Sequence, residues 1–446
     1  MSRRGSLVAA ASMVALALTL ASVQPATGTG GSWSAPVAMP RAGFVFDSHV
    51  GSDSTGAVTV AWEVMPGWPD AGIWVRHRSP LGKWGKSENV DPLASHWLAM
   101  DEDPAGNVCL LYARRHHGFV PTATCAGPDG VFSPPATLSG RTPYTDYHLV
   151  VDDHGTWTAA WTQRDPAGHL RIAAARRVAG VWTAPSLVSD RREVVGDLDL
   201  DTSPEGVVVL AWAAHPRGQH DAPWRIHARV REPGVAWGPE TTVSGPGAEM
   251  PAVAGGPGDR AQVVWVSTRD GAQRLQQRTH TPTGWGRSRT VVASPRGQSR
   301  IWAGSVATGG RGTIVVTWER VRTDTVRGGI YAQVCQRDRC GPRQALSPRN
   351  GASDPPTAVV NHEGVVWVLW QWKLRARVMG DGWTLQGRVH ESAGGWSTRA
   401  DVSAPDVVDL FPASATLLPT GLPAIAWTSS FPQLNYAYSA MYSEAR

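Results

Sequence analysis

Eight copies of one strand motif constrain the fold of this 446-residue chain more than any other feature. In each copy an apolar run ends in an aromatic residue, which is tryptophan in seven copies and tyrosine in one. The copies are AVTVAW (57–62), NVCLLY (107–112), TWTAAW (156–161), VVVLAW (207–212), RAQVVW (260–265), TIVVTW (313–318), VVWVLW (365–370) and LPAIAW (422–427). A motif that recurs about every fifty residues is typical of a repeat architecture.

Each copy belongs to a unit of four predicted strands. A short strand precedes the aromatic-ended strand across a turn rich in Asp and Gly, and an alternating strand such as LRIAAARR follows it. A G-x-W strand such as GWSTRADVS closes the unit. Alternation places successive side chains on opposite faces of a sheet. Eight antiparallel meanders with little helical periodicity predict an all-β fold, an eight-bladed β-propeller with four-stranded blades.

The two ends of the chain predict how the ring closes. The G-x-W type of strand appears once before the first full unit, as SWSAPVAM (32–39), and is missing after the last unit. We therefore expect the N-terminal strand to complete the last blade by pairing with residues 434–443. This closure would remove two open sheet edges. Residues 31–446 are thus predicted to form a single propeller domain.

Residues 1–30 have the layout of an export signal followed by a short linker. Arg3 and Arg4 precede an apolar run from Leu7 to Leu20, and small residues follow. The arginine pair fits either an ordinary basic segment or a twin-arginine signal. Because the run is shorter than the roughly 20 residues that span a bilayer, we expect a secreted, extracellular protein without a membrane span.

The four cysteines of an exported chain suggest two disulfides. Cys109 and Cys125 lie on consecutive predicted strands, and Cys335 and Cys340 bracket a short turn. Pairing within each local set is the expectation, and free thiols are the alternative. We expect no metal centre, since no paired C-x-x-C arrangement is present.

The D-x-x-G turn, the strand ending in A-W and the following G-x-W strand resemble those of secreted, sialidase-like (BNR-like) β-propeller proteins of actinobacteria. The resemblance covers nearly all of residues 31–446 and implies the propeller architecture. Sialidases carry Asp boxes of the form S-x-D-x-G-x-T-W between the last two strands of a blade. The nearest segment here, Asp152-Asp153-His154-Gly155-Thr156-Trp157, differs in spacing and lies between the first two strands. Intact Asp boxes are therefore absent, and the motifs specify architecture more than chemistry.

One face of the predicted disc is the place to look for function, because the start of the first strand and the loop after the second strand lie there together. Pairs spaced i, i+2 mark the starts of three first strands: Asp47 and His49, Asp146 and His148, and Asp197 and Asp199. An Asp beside a His can orient the imidazole as a general base or a metal ligand. The alternative is a set of buried hydrogen-bonded pairs that fasten blade to blade.

Polar loops after the second strands could add a ligand-binding rim. The candidates are Arg114, His116, His117, Arg164, Asp165, Arg269, Asp270 and Arg320. Arginine offers paired donors that suit carboxylates and sulfates, which favours an acidic glycan as the ligand. Loop charges that pair with one another are the alternative. Aromatic residues near these loops could stack on sugar rings: Trp68, Trp97, Tyr144, Tyr147 and Trp372.

Two functions fit these features. The first is a binding or scaffold propeller that presents its channel mouth to a glycan or an extracellular protein. The second is an extracellular carbohydrate-active enzyme, either a glycoside hydrolase with paired carboxylates or a polysaccharide lyase using His148, Tyr147 and Arg164. The catalytic candidates are His148, Tyr147, Asp146, His49 and Asp47.

Nucleic acid is not an expected partner of this chain. The formal charge of +5 includes two arginines of the export signal, and no long basic tract follows. No nucleotide-binding loop or catalytic elbow is present either. We therefore expect a monomer without a cofactor.

Overall fold

A computed structural model of the chain describes residues 32–40, 44–68, 70–94, 96–115, 118–140, 146–219, 221–323, 327–337, 339–349, 351–353, 355–373, 383–391, 395–403, 408–431 and 437–446. These residues form eight antiparallel sheets, which are the blades of an eight-bladed β-propeller. The predicted fold is confirmed. The described residues contain one 3-10 turn, Gly310–Gly312, and no helix that is long and apolar enough to cross a membrane.

The strands of each blade are named A to D from the central channel outward. In blades 1 to 8, the A strands are Val45–Ser52, Ala99–Glu102, Tyr147–Val151, Glu193–Thr202, Ala248–Gly256, Ser299–Gly309, Thr357–Val360 and Val408–Leu417. In blade 7 a short strand, Ala352–Ser353, precedes strand A. The B strands are Val58–Val64, Val108–Arg115, Trp157–Arg164, Val208–Pro216, Arg260–Arg269, Thr313–Arg322, Val366–Lys373 and Pro423–Phe431.

The two outer strands follow in the same order. The C strands are Gly72–Arg78, Phe119–Ala126, Leu170–Val178, Arg225–Arg231, Ala272–Thr281, Gly328–Gln336, Thr384–Glu391 and Ala437–Glu444. Strand D is a single segment in blades 1, 2, 4 and 8: Trp84–Asp91, Ala136–Thr137, Thr241–Thr242 and Val37–Ala38. In blades 3, 5, 6 and 7 it is two segments: Val181–Trp182 with Ser186–Leu187, Gly284–Trp285 with Arg289–Ser294, Arg339–Cys340 with Gln344–Ala345, and Gly395–Trp396 with Ala400–Asp401.

The N-terminal strand closes the ring as predicted. Val37 lies opposite Tyr442 in antiparallel register, so the strand supplies the outer edge of blade 8. The hydroxyls of Ser34 and Ser443 lie 3.1 Å apart and extend the same contact. Each A strand contacts the A strands of both neighbouring blades, and that of blade 8 contacts that of blade 1. The first and last segments of the propeller are therefore held in one blade.

The aromatic residues of the repeat lie between the blades. All eight are buried, with relative exposure of 2% or less: Trp62, Tyr112, Trp161, Trp212, Trp265, Trp318, Trp370 and Trp427. Apolar residues of adjacent blades surround them in continuous clusters. Burial of such large side chains is the main source of stability in a fold of this kind.

The Asp and Gly turns between strands A and B define the lower face of the disc. Asp53 Oδ1 accepts hydrogen bonds from the backbone N–H groups of Thr55 and Ala57 at 2.8 and 2.9 Å. Gly56 follows with φ of 86°, a conformation that glycine adopts without steric cost. The turn geometry explains why Asp and Gly recur here. The opposite, upper face carries the starts of the A strands and the loops between strands B and C.

Both predicted disulfides form. Cys109 and Cys125 lie opposite each other on strands B and C of blade 2, with their Cα atoms 4.1 Å apart. Cys335 and Cys340 join the end of strand C to the start of strand D in blade 6, with their Cα atoms 3.9 Å apart. Each disulfide links residues within a single blade.

Candidate functional site

Acidic, imidazole and aromatic side chains gather on the upper face where blades 1, 2 and 3 meet. Strand A of blade 1 contributes one Asp and one His, and strand B of the same blade contributes a Glu. The connection into blade 2 contributes a His and a Trp, and a Tyr begins strand A of blade 3. We call this group the mouth cluster: Asp47, His49, Glu63, His96, Trp97 and Tyr147.

The structure brings Asp47 and His49 together. Nε2 of His49 lies 3.3 Å from Oδ2 of Asp47, and about a quarter to a third of each side chain is exposed. Burial by itself would lower the pKa of His49, but the nearby negative charge of Asp47 raises it above the ordinary value. Asp47 therefore favours the imidazolium form.

Glu63 is the most deeply buried member of the mouth cluster, with no exposed surface. Its Oε1 accepts a hydrogen bond from the backbone N–H of His96 at 2.6 Å, while Oε2 has no hydrogen-bond partner among the described residues. Burial raises the pKa of Glu63 to about 7, and the charge of Asp47 acts in the same direction. A carboxyl group with such a pKa can hold or release a proton near neutral pH.

His96 and Trp97 have left-handed backbone conformations, with φ of 69° and 57°. For residues other than glycine this costs on the order of 1 kcal/mol each, and such strain clusters at functional sites. The Trp97 ring packs edge-on to Phe119, with ring centroids 5.3 Å apart, and lies 6.1 Å from the Tyr147 ring. The imidazole of His96 thus lies beside the buried Glu63, with Nδ1 3.7 Å from Oε1, and the half-buried Trp97 ring packs against the core of blades 2 and 3.

His148 contacts the next blade instead of Asp146. Its Nδ1 lies 3.1 Å from Oδ1 of Asp199 in blade 4, while Asp146 is exposed. Oδ2 of Asp199 accepts a hydrogen bond from the backbone N–H of Val253 in blade 5 at 2.8 Å. Asp199 therefore connects three consecutive blades, which agrees with the blade-fastening interpretation of this pair. Asp197, its i, i+2 partner, has a pKa raised by burial and by the charge of Asp146.

The structure does not gather the three residues of the lyase hypothesis. Tyr147 and His148 are adjacent on one strand, so their side chains point to opposite faces. Tyr147 is 6% exposed and packs into the core between blades 2 and 3. Arg164 donates from Nη1 to the carbonyl of Gly168, 2.7 Å away in its own loop.

Arg114 is part of a partly buried ion pair. Its Nε lies 3.1 Å from Oδ2 of Asp91, whose side chain is 1% exposed. The same Asp91 oxygen accepts a hydrogen bond from the hydroxyl of Tyr112 at 2.9 Å. The guanidinium that the sequence suggested for ligand binding therefore neutralises an internal carboxylate.

Asp165 shapes the loop in which it lies. Its Oδ1 accepts hydrogen bonds from the backbone N–H groups of Ala167 and His169, both at 2.9 Å. These hydrogen bonds hold the pKa of Asp165 below its ordinary value. Asp165 is thus engaged in turn formation.

The other rim candidates differ in their surroundings. Arg269 and Asp270 are almost fully exposed, and their charged atoms lie 3.8 Å apart. Arg320 donates from Nε to the hydroxyl of Ser299 at 2.6 Å. His116 and His117 lie outside the described residues.

The aromatic candidates also separate. Trp68 is 43% exposed, whereas Trp372 is 4% exposed and belongs to the core between blades 6 and 7. Tyr144 lies outside the described residues. Trp97 and Tyr147 are the two that join the mouth cluster.

A group with the donor types of a metal site lies in blade 4, and the sequence analysis missed it. Glu193, His227 and Glu240 offer ligand atoms within 4.8 Å of one another. His227 Nδ1 is 2.9 Å from Glu240 Oε1, and Nε2 is 3.5 Å from Glu193 Oε1. Burial raises the pKa of Glu193 to about 7. Arg229 lies 3.9 Å from Glu240 and supplies positive charge, so these contacts also suit an ion-paired cluster. Its members come from three strands or connections, which no sequence spacing relates.

No protein-family model and no curated protein sequence matches this chain. Solved structures match at low identity. A polysaccharide lyase, an ulvan lyase bound to -[GlcA(1-4)Rha3S]-, shares 10% identity over 91% of this chain and 95% of its own, with a TM-score of 0.50. A lectin from Burkholderia pseudomallei shares 14% identity over 81% of this chain and 100% of its own, with a TM-score of 0.50.

Other matches have different activities. Prolyl oligopeptidase B from Galerina marginata shares 12% identity over 90% of this chain, with a TM-score of 0.50. This chain spans about half the length of the prolyl peptidases that it matches. A microbial sialidase is also a structural neighbour, with a TM-score of 0.39. The likenesses with a TM-score of 0.50 show a shared propeller fold, and no sequence match supports the narrower resemblance to actinobacterial proteins.

Proposed function

We propose that this protein is a secreted propeller that binds a glycan at the mouth cluster. The observation that carries the proposal is the strained His96 and Trp97 pair, which sets the His96 imidazole beside the buried Glu63 and leaves the Trp97 ring half-buried. Ligand sites commonly combine aromatic surface with a few fixed polar groups. The ring of Trp97 would contact the apolar face of a sugar, and Asp47 and His49 would hydrogen-bond its hydroxyls.

Two further observations support a glycan ligand outside the cell. The solved propellers that share this fold include a lectin and a polysaccharide lyase. The two disulfides and the export-signal layout of residues 1–30 agree with secretion. All residues of the mouth cluster come from one chain, so a monomer is sufficient for the proposed site.

The second candidate function is a carbohydrate-active enzyme that uses the same residues. Glu63, whose pKa burial raises to about 7, has the protonation behaviour of a general acid. Asp47 holds His49 in an orientation that suits proton transfer. In this function a bound glycan would be cleaved, by hydrolysis or by elimination, instead of merely retained.

Binding of the mature protein to a panel of neutral, uronate-containing and sulfated polysaccharides tests the proposal. Trp97→Ala should weaken binding about tenfold or more, because a stacking surface is lost. Trp68→Ala is the matched control, since that tryptophan is exposed on the same face outside the mouth cluster. Asp47→Asn tests the proposed hydrogen bonds to sugar hydroxyls, and it does so without removing a packed aromatic ring. Equal affinities for the wild type, Trp97→Ala and Asp47→Asn would contradict the proposed site.

Incubation with the same panel separates binding from catalysis. A lyase releases an unsaturated product that absorbs in the ultraviolet, and a hydrolase releases new reducing ends. Glu63→Gln should abolish either signal while the glycan is still bound. Binding without any product from the wild type would assign the protein to the binding class.

A further inference from the structure

A wide groove opens on the lower face between blades 6 and 7, away from the mouth cluster. Its volume of about 1050 Å³ is more than twice that of the grooves between blades 1 and 2 and between blades 4 and 5, about 390 and 290 Å³. Four arginines, a histidine and a tryptophan are among the residues that line it. We call this the arginine groove: Arg311, Arg337, Arg339, Arg388, His390 and Trp396.

Three of these arginines carry charge that the described part of the chain does not neutralise. Arg311, Arg337 and Arg339 are exposed, and no described carboxylate lies within 4.0 Å of their guanidinium groups. Asp338 lies outside the described residues. On the upper face, by contrast, Arg114 pairs with an internal carboxylate. Guanidinium groups gathered in a groove repel one another and attract an anion.

A disulfide links the two chain segments that carry Arg337 and Arg339. The Cys335–Cys340 disulfide closes the turn between them, and Gln336 lies opposite Arg339 in the strand pairing. The backbone N–H of Arg337 also donates to the carbonyl of Gly312 at 2.7 Å, beside Arg311. Two arginine-bearing turns are therefore held together before any ligand arrives. Such preorganisation reduces the entropy cost of binding.

Two positions in these turns favour glycine, yet the chain has arginine there. Arg311 has φ of 59° and Arg337 has φ of 54°. A residue other than glycine in this region strains the backbone, at a cost on the order of 1 kcal/mol. A requirement for the guanidinium groups would account for arginine at both positions.

The wall formed by blade 7 adds an aromatic surface. The rings of His390 and Trp396 meet edge to face with centroids 5.1 Å apart. Arg388 is held beside them, donating from Nε to the carbonyl of Ser397 at 2.6 Å. A sugar ring can lie against an indole while its acidic substituents reach guanidinium forks, which match carboxylate and sulfate geometry.

We propose that the arginine groove binds a polysaccharide that carries sulfate or carboxylate groups. The groove has a volume of about 1050 Å³, and three of the arginines that line it have no carboxylate partner among the described residues. A modest overall charge of +5 without a basic tract makes nucleic acid the less suitable polyanion. This site is separate from the mouth cluster and does not depend on the function proposed for it.

Affinity measurements with three defined polymers test the proposal. The wild-type mature protein should bind dextran sulfate or polygalacturonate and leave neutral dextran free, and the preferred polymer identifies sulfate or carboxylate as the recognised group. Arg337→Gln/Arg339→Gln should weaken that binding about tenfold. Added salt should weaken it further, because exposed charges are screened. Arg191→Gln/Arg300→Gln is the control, since it removes the same charge from exposed arginines elsewhere.

Removing the disulfide of the turn provides a second test that leaves the charge unchanged. Cys335→Ala/Cys340→Ala should weaken polyanion binding, whereas Cys109→Ala/Cys125→Ala should not, because that disulfide lies in blade 2. Wild-type protein that binds neither polyanion would overturn the proposal. So would equal losses in the groove variant and the Arg191→Gln/Arg300→Gln control. Neutral polysaccharides distinguish the two sites: Trp97→Ala should weaken their binding to the mouth cluster, whereas Arg337→Gln/Arg339→Gln should leave it unchanged, so failure of either proposal remains distinguishable.

Discussion

Replacement of Arg114 by alanine should destabilise the propeller, although the residue lies on a polar loop face. The Arg114 side chain is about one-third exposed, but Asp91, to which it is paired, is 1% exposed. In Arg114→Ala the Asp91 carboxylate keeps a hydrogen bond from Tyr112 and another from the backbone N–H of Leu93 at 2.9 Å. It loses its only cationic partner among the described residues.

The size of the effect follows from how much water can reach the pair. Breaking a fully buried ion pair costs about 3–5 kcal/mol, whereas breaking an exposed pair costs about 1 kcal/mol or less. Because water reaches part of Arg114, we expect about 2–3 kcal/mol for Arg114→Ala. Residues 31–446, about 415 in number, give an unfolding entropy near 0.9 kcal/mol/K. The melting temperature should therefore fall by about 2–3 °C.

Scanning calorimetry of the purified protein measures this fall. Arg269→Ala is the matched control and should melt with the wild type, because Arg269 and Asp270 are 86% and 91% exposed. Adding Asp91→Asn to Arg114→Ala should restore part of the loss, since the uncompensated charge is removed. If Arg114→Ala melts at the same temperature as Arg269→Ala, the partly buried pair does not stabilise the fold and the reasoning is wrong.

Three further predictions concern stability. Burial raises the pKa of Glu102 to about 8 and that of Asp201 to about 7, so the folded state holds protons that the unfolded state releases above about pH 4. The melting temperature should therefore decrease as pH rises from 4 to 8, and the decrease should be smaller in Glu102→Gln. A melting temperature that increases over this range would contradict the raised pKa values. Cys109→Ala/Cys125→Ala should lower the free energy of unfolding by about 3 kcal/mol in denaturant titrations. An unchanged free energy of unfolding would show that this disulfide does not stabilise the fold. Deletion of residues 32–39 should expose the edge of blade 8 and cause association visible by light scattering, whereas a stable monomer would show that closure is dispensable.

The repeat pattern alone predicted the propeller, its eight blades and its closure. These features depend on contacts between strands that are consecutive in the chain, or between its two ends. Each unit repeats the same alternation and the same Asp and Gly turn. A strand that is hard to recognise in one copy can therefore be assigned from its equivalents in the other copies. The disulfides could be predicted for the same reason, because each joins cysteines in adjacent strands of one blade.

The site was only partly predictable. The sequence indicated Asp47 and His49, since an i, i+2 pair shares one face of its strand. It gave no sign that Glu63 would accept a hydrogen bond from His96, 33 residues away, or that His148 would reach Asp199 in the next blade. These contacts cross between blades, and the local sequence does not encode which side chains meet there.

The sequence by itself determined that this chain forms a closed ring of eight blades, because strand pairing and the burial of one aromatic residue per unit follow from local periodicity. Only the tertiary structure decided which charges remain available to a ligand. Arg114 is used internally by Asp91, while Arg337 and Arg339 face an open groove between blades. The physical reason is that a charge is satisfied by whichever group the packing of neighbouring blades brings within hydrogen-bonding distance, and sequence separation does not limit that choice.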